Sequence, residues 1–133
     1  MSQPVVAGLD IQIELSESFP PNHHRAVKGG GSVVHWMEKL RGSAPALMET
    51  TQNGAALVGD DTLWYLGGWP DQEMWDRLVV VAADKVGLST TILPDGLRLR
   101  TAGKYRFAFN YSAHSVEWDG QTFAACSVAL SAG

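Results

Sequence analysis

Thr62-Leu63-Trp64-Tyr65-Leu66-Gly67-Gly68-Trp69-Pro70 delivers the chain into Asp71-Gln72-Glu73-Met74-Trp75-Asp76, and this passage from strand pattern to helix pattern decides the reading of the fold. Beyond it Met74, Trp75, Leu78, Val79, Ala82, Ala83 and Val86 recur at helical spacing and form one apolar stripe, so a helix is predicted over about 71–86. Pro70 and Asp71 suit its first turn, where proline wastes no amide hydrogen and a carboxylate meets unpaired amides. Lys85 complements the negative end, and Gly87 can take the left-handed conformation that stops a helix. Val79, Val80 and Val81 are poor helix formers, so packing against a sheet is expected to hold them, with Trp75 in the core.

Downstream, the pattern is β throughout. After Leu93-Pro94-Asp95-Gly96, Leu97 and Leu99 alternate with Arg98 and Arg100, and Ala102-Gly103 allows a turn. Tyr105, Phe107, Phe109 and Tyr111 then share one strand face, and Val116 and Trp118 extend the pattern. Asp119-Gly120 is a strong hairpin signal. Thr122 to Leu130 is apolar on both faces and is expected inside the sheet or between layers. Upstream, Leu9, Ile11, Ile13 and Leu15 alternate with Asp10, Gln12, Glu14 and Ser16 as a half-buried strand, which Phe19-Pro20-Pro21-Asn22 stops. His23 to Ser32, with its three glycines, reads as a mobile loop. Val33 to Leu40 fits a strand interrupted by Glu38, or a short helix. Ala46–Thr51 and Gly54–Val58 join at the tight-turn dipeptide Asn53-Gly54. The sum is an α+β fold: mainly an antiparallel β meander, with one amphipathic helix packed on the sheet and a small C-terminal β-lobe.

The bulk properties remove several function classes. The chain has 133 residues, 45% of them apolar and 18% charged, which describes a globular protein. Net charge is −4 and the ten Lys and Arg form no cluster, so neither nucleic acid nor an anionic membrane face is an expected partner. The start, Met1-Ser2-Gln3-Pro4-Val5-Val6, lacks a positive n-region and an apolar core, so no signal peptide is read and a cytoplasmic protein is expected. Cys126 is the single cysteine and, in its apolar run, is expected to be a buried inert thiol.

No motif for chemistry survives inspection. His23, His24 and His35 lack metal-ligand spacing, so no metal and no cofactor are expected. Lys28-Gly29-Gly30-Gly31-Ser32 has the composition of a phosphate loop, but its lysine precedes the glycines and a flexible linker is the better reading. His114-Ser115 has no strained elbow beside it. Acids are ordinary surface residues, except that Glu38 interrupts the apolar side of its strand. It should therefore have a partner such as Lys39, Arg41 or a buried amide. Among the five tryptophans, Trp75 and Trp118 fall on apolar faces, whereas Trp36, Trp64 and Trp69 are candidates for an interface or for stacking on sugars.

Trp64-Tyr65-Leu66-Gly67-Gly68-Trp69-Pro70, Leu93-Pro94-Asp95-Gly96-Leu97-Arg98 and Phe107-Ala108-Phe109-Asn110-Tyr111, in that order, resemble the end of the bacterial β-galactosidases of glycoside hydrolase family 42. Val6 to Pro21 and Val34-His35-Trp36-Met37-Glu38-Lys39-Leu40 are similar to the late part of that family's trimerisation domain. The resemblance favours a strand at Val33–Leu40. It implies that 1–92 is the end of a trimerisation-like α/β domain and 93–133 a small antiparallel β-domain, or that the two share one core. The family's acid/base and nucleophile glutamates belong to a barrel, and no position here corresponds to them. The resemblance thus implies a non-catalytic structural and oligomerisation fragment whose partners are copies of itself (a trimer in the family) or the missing catalytic part. A carbohydrate-binding module that uses Trp36, Trp64 or Trp69 on a galactoside is the alternative, and an independent small hydrolase a third.

Overall fold

A computed structural model describes residues 6–132; the stretch before Val6, read above for a signal peptide, lies outside them. Antiparallel strands and one helix make up the described residues, in two compact units that divide between Ser89 and Thr90.

In the first unit the strand Ser32–Gly42 (β3) is central. Ile11–Ser18 (β1) and His24–Ala26 (β2) pair with it, and so does Gly68–Pro70 (β7). A second sheet runs Ala46–Glu49 (β4), Ala55–Gly59 (β5), Trp64–Leu66 (β6), with β5 in the middle. The stretch read as one strand, Thr62–Pro70, is therefore two: β6 pairs with β5, and β7 pairs with β3. Gly67 is the crossing point, donating its N–H to Ala56 O at 2.9 Å while its carbonyl accepts from Glu38 N at 2.8 Å. Gly68 is needed because a Cβ there would lie 2.5 Å from Val33 Cγ1 and 3.0 Å from Trp36 O. The apolar run of β5 is buried on both sides. Leu57 joins Val27, Val33, Met48 and Met74 in one cluster, and Val58 joins Leu9 and Ile11 in another.

The helix Gln72–Lys85 (α1) is capped by Asp71, whose Oδ1 accepts from Met74 N at 2.8 Å. It ends in a full Schellman motif: Leu88 N donates to Ala83 O at 2.9 Å and Gly87 N to Asp84 O at 3.0 Å, with Gly87 at φ +73°. Pro70 does not open the helix; it closes β7, one residue before the cap. The apolar stripe also divides. Met74 is buried and Leu78 half-buried, but Trp75 is 42% exposed and Val79 52%, with Val81 and Val86 exposed too. The expectation of a core Trp75 is corrected, and of the three valines expected to pack on the sheet Val79 and Val81 are exposed while Val80 is half-buried.

The glycine run is likewise not a mobile loop. His24–Ala26 is a strand, and Val27–Gly31 is a closed turn (Val27 N to Gly31 O, 2.9 Å). The Arg77 guanidinium donates from Nη1 to Gly30 O and from Nη2 to Lys28 O at 3.2 Å. Gly31 lies so close to the first helical turn that a Cβ would come within 2.5 Å of Met74 N.

The second unit has a three-stranded sheet in the order Ser127–Ala132 (β12), Tyr105–Asn110 (β9), Leu97–Ala102 (β8), and a hairpin of Val116–Trp118 (β10) with Gln121–Phe123 (β11). Its core is Leu97, Ala108 and Phe123, against which Leu93, Leu99, Val116 and Trp118 pack. The stretch Thr122–Leu130 is two strands with a turn between, and β12 is an edge strand whose Val128 and Leu130 are exposed, not an inner one. Cys126 sits in that turn at φ +48°, exposed instead of buried.

Candidate functional site

One recess of the first unit, of about 360 Å³, is walled by β1, β3 and the β4–β5 turn. The turn is fixed from both ends. Thr50, buried, accepts from Gly54 N through Oγ1 at 3.0 Å, Thr51 N donates to Ala26 O, and Asn53 adopts φ +62°. Lys28 Nζ binds Glu49 at 2.8 Å and Asn53 Oδ1 at 3.0 Å. Two carboxylates, Glu17 and Glu38, line the cavity with Arg25, Gln52 and Asn53.

Each carboxylate has a partner. Glu17 faces Arg25 at 3.3 Å, and the same guanidinium lies 5.1 Å over the Phe19 ring. Glu38, half-buried, accepts the Tyr65 hydroxyl at 2.5 Å. Burial, reinforced by that carboxylate, pushes the Tyr65 phenol up to about 12. Lys39 and Arg41, expected beside Glu38, bind Glu14 instead, at 2.9 and 3.5 Å. Lys39 holds the Glu14 carboxyl below its usual range. The cause is strand alternation: Lys39 and Arg41 lie an odd number of residues from Glu38 and so leave the opposite face of β3. Of the polar groups that line the cavity, Glu17, Arg25, Glu38 and Asn53 are thus engaged with neighbouring side chains.

The three candidate tryptophans are dispersed. Trp36, on β3, is half-buried opposite Ser18. Trp64 packs on the core, donates Nε1–H to Asp60 O at 2.9 Å and carries Lys85 Nζ 5.7 Å over its ring, so one face is taken. Trp69, on β7, is 55% exposed and meets His35 edge-on with centroids 6.3 Å apart. His35, at φ +61°, lies where the β3–β7 register shifts and, with His23 and His24, lines a recess of about 540 Å³ beside Pro20 and Pro21. Among the described residues no group of three or more His, Cys, Asp or Glu is placed to hold a metal. No helix among them is long and apolar enough to cross a membrane.

No family model matches the chain. It is 32% identical over 117 residues to a β-galactosidase of Thermus thermophilus; the alignment covers 86% of this chain and 18% of the relative. The chain thus spans less than a fifth of the curated relative it matches. Its fold matches the crystal structure of the β-galactosidase from the psychrophilic Marinomonas ef1 with TM-score 0.76 and 29% identity, over 90% of this chain and 20% of that one. A GH42 β-galactosidase of G. stearothermophilus, seen as its E323A catalytic mutant, shares the fold at TM-score 0.59 and 12% identity, over 91% of this chain and 22% of its own. The chain is similar to one part of β-galactosidases, in sequence and in fold.

Proposed function

We propose that the chain is a structural, assembly-forming module of a family-42-like β-galactosidase, cytoplasmic, and without hydrolysis of its own. The observation that carries this reading is the confinement of the similarity to 18% of the relative's length. On this reading the first unit is the end of a trimerisation-like domain, its amphipathic helix is shared between the fold and an interface, and the second unit is the family's C-terminal β-lobe. The test is turnover of a chromogenic galactoside by the purified chain. The expected result is none above buffer; turnover that disappears in Glu38→Gln replaces this reading with that of a small hydrolase.

A carbohydrate-binding reading is favoured at one place, the exposed Trp69 ring beside the histidine-lined depression. It requires a shift of tryptophan emission on titration with galactosides that is lost in Trp69→Ala. A flat titration at millimolar sugar removes it.

A further inference from the structure

Three of the chain's four histidines, His23, His24 and His35, line one recess of the first unit, and the backbone is built to bring them there. Phe19 N donates to His35 O at 2.7 Å and His23 N to Pro20 O at 3.0 Å, so the turn 20–23 is closed against β3, with Asn22 at φ +66°. Register aligns His24 of β2, Val34 of β3 and Trp69 of β7 in one row across the sheet, their side chains on the same face. Strand alternation would send His35 to the opposite face. It stands instead at φ +61°, where the β3–β7 register shifts, and its ring meets Trp69 with centroids 6.3 Å apart. A non-glycine residue in left-handed backbone persists only where its surroundings over-determine it. Here that conformation sets a second imidazole beside the row.

The chemistry of the recess is one-sided. Phe19, Pro20, Pro21 and Val34 give it an apolar wall, and its polar groups are the three imidazoles and the Asn22 carboxamide. Among the described residues no aspartate or glutamate lines it. On the strands paired with β3, the charged side chains Glu14, Glu17 and Arg25 are all in ion pairs, and β7 carries none. On β3 itself Glu38 is bound by Tyr65, while Lys39 and Arg41 are bound by Glu14. The only charge the recess can gain is therefore positive, on imidazole, the side chain that ordinarily takes a proton between about pH 8 and pH 5. Protonated, an imidazole donates and no longer accepts. Donors without acceptors select an anion. No three of these groups are placed to hold a metal, so a ligand shared by the imidazoles is larger than a single ion. Trp69, 55% exposed, adds an apolar ring on which a ligand ring can stack.

We propose that this recess binds a sugar carboxylate, a uronate, with its ring on Trp69 and its carboxylate over Val34, between His24 and His35. The inference rests on the carbohydrate-binding reading of Trp69 given above and deepens it, because it exchanges a neutral galactoside for an acidic one. Binding of the anion favours the protonated imidazoles, so affinity rises as pH falls.

Galacturonate and galactose differ at one carbon, and titrating each against the tryptophan emission of the full chain at about pH 5 and about pH 8 tests the proposal. Galacturonate, ionised at both, is expected to shift the emission at the lower pH and to bind at least about tenfold more weakly at the higher one. Galactose at the same concentrations should shift nothing. His24→Gln and His35→Asn should each weaken galacturonate at the lower pH about tenfold, or 1.4 kcal/mol, and together remove the pH dependence. Asparagine replaces His35 because it tolerates left-handed backbone. Trp69→Phe should abolish the emission shift. Should the double variant lose its circular dichroism, the pH dependence of the wild type decides. Equal binding of the two sugars, or galacturonate binding that ignores pH, overturns the selection of an acid and leaves Trp69 as a sugar site. A flat response to both at millimolar concentration overturns the acidic ligand and the carbohydrate reading together. A shift with benzoate but not with galacturonate does the same, and makes the ligand an aromatic carboxylate. The structural reading of the chain is tested separately, by galactoside turnover.

Discussion

Asn110 holds the second unit together through hydrogen bonds that no apolar side chain could replace. It is 2% exposed; its Nδ2 faces the carbonyls of Phe123, Ala124 and His114 at 3.0, 2.8 and 2.9 Å, and its Oδ1 accepts from Ser112 N at 3.0 Å. One amide thereby ties the end of β9 to the turns before β10 and before β12. Asn110→Ala leaves buried carbonyls unsatisfied and is expected to cost about 2–4 kcal/mol, read as a loss of denaturation midpoint. Asn110→Asp should cost more, because a carboxylate would face those carbonyls. Tyr65 is a second such residue, and its effect is read by pH. Its folded phenol is raised to about 12 from 10.0, so the stability it contributes is complete below pH 10 and is lost as pH rises from 10 through 12. Spectrophotometric titration should show a phenol ionising late, and Tyr65→Phe should remove that step. Neither residue stood out in the sequence. Asn110 sits in an aromatic run, and Tyr65 finds Glu38 only because Gly67 joins the two sheets.

At the scale of elements, alternation and periodicity were legible; which side faces inward was not. In β9 the aromatics Phe107 and Phe109 point out, and Ala108 and Asn110 point in, because Leu97, Phe123 and Trp118 already fill the space beneath and leave room only for small side chains. In α1 more apolar residues recur at helical spacing than the fold covers. Met74 and Leu78 take the inner place, so Trp75→Ala should shift stability by no more than about 1 kcal/mol, the ordinary range for an exposed position. A loss near 4 kcal/mol would show the ring to be core after all. The turns were the best-marked features: Asn53, Gly87, Asp119 and Gly120 all take left-handed backbone where the sequence predicted a turn or a stop. Cys126 was misread because an apolar run was equated with an inner strand, whereas Ala124 to Cys126 form an exposed turn. Its thiol should therefore react with a chromogenic disulfide reagent in the native protein, at a rate that denaturant scarcely raises; protection until unfolding would contradict the exposed placement.

At the scale of the whole molecule, each unit has its own apolar clusters: Leu57 with Met74 and Val58 with Ile11 in the first, Leu97 with Phe123 in the second. Between Gly87 and Leu93 the chain has no strand or helix. Leu88 and Ile92 there are 62% and 63% exposed, although Leu88 is anchored through its N–H to Ala83 O. Such a segment, with few backbone hydrogen bonds and no burial, opens locally at little cost and is where a protease finds an extended substrate first. No lysine or arginine lies between Lys85 and Arg98, so trypsin has no site within it. Thermolysin, which cuts before large apolar residues, should cut before Ile92 ahead of any bond inside a strand or the helix, leaving two fragments that persist. If the two sets of clusters instead unfold as one, the first cut should be followed by rapid loss of both pieces. Asn110→Ala should then destabilise residues 6–89 as much as 90–132. The two outcomes separate in native-state hydrogen exchange: for independent cores the Asn110 variant lowers protection in β8, β9 and β12 and leaves β3 and β5 at wild-type rates.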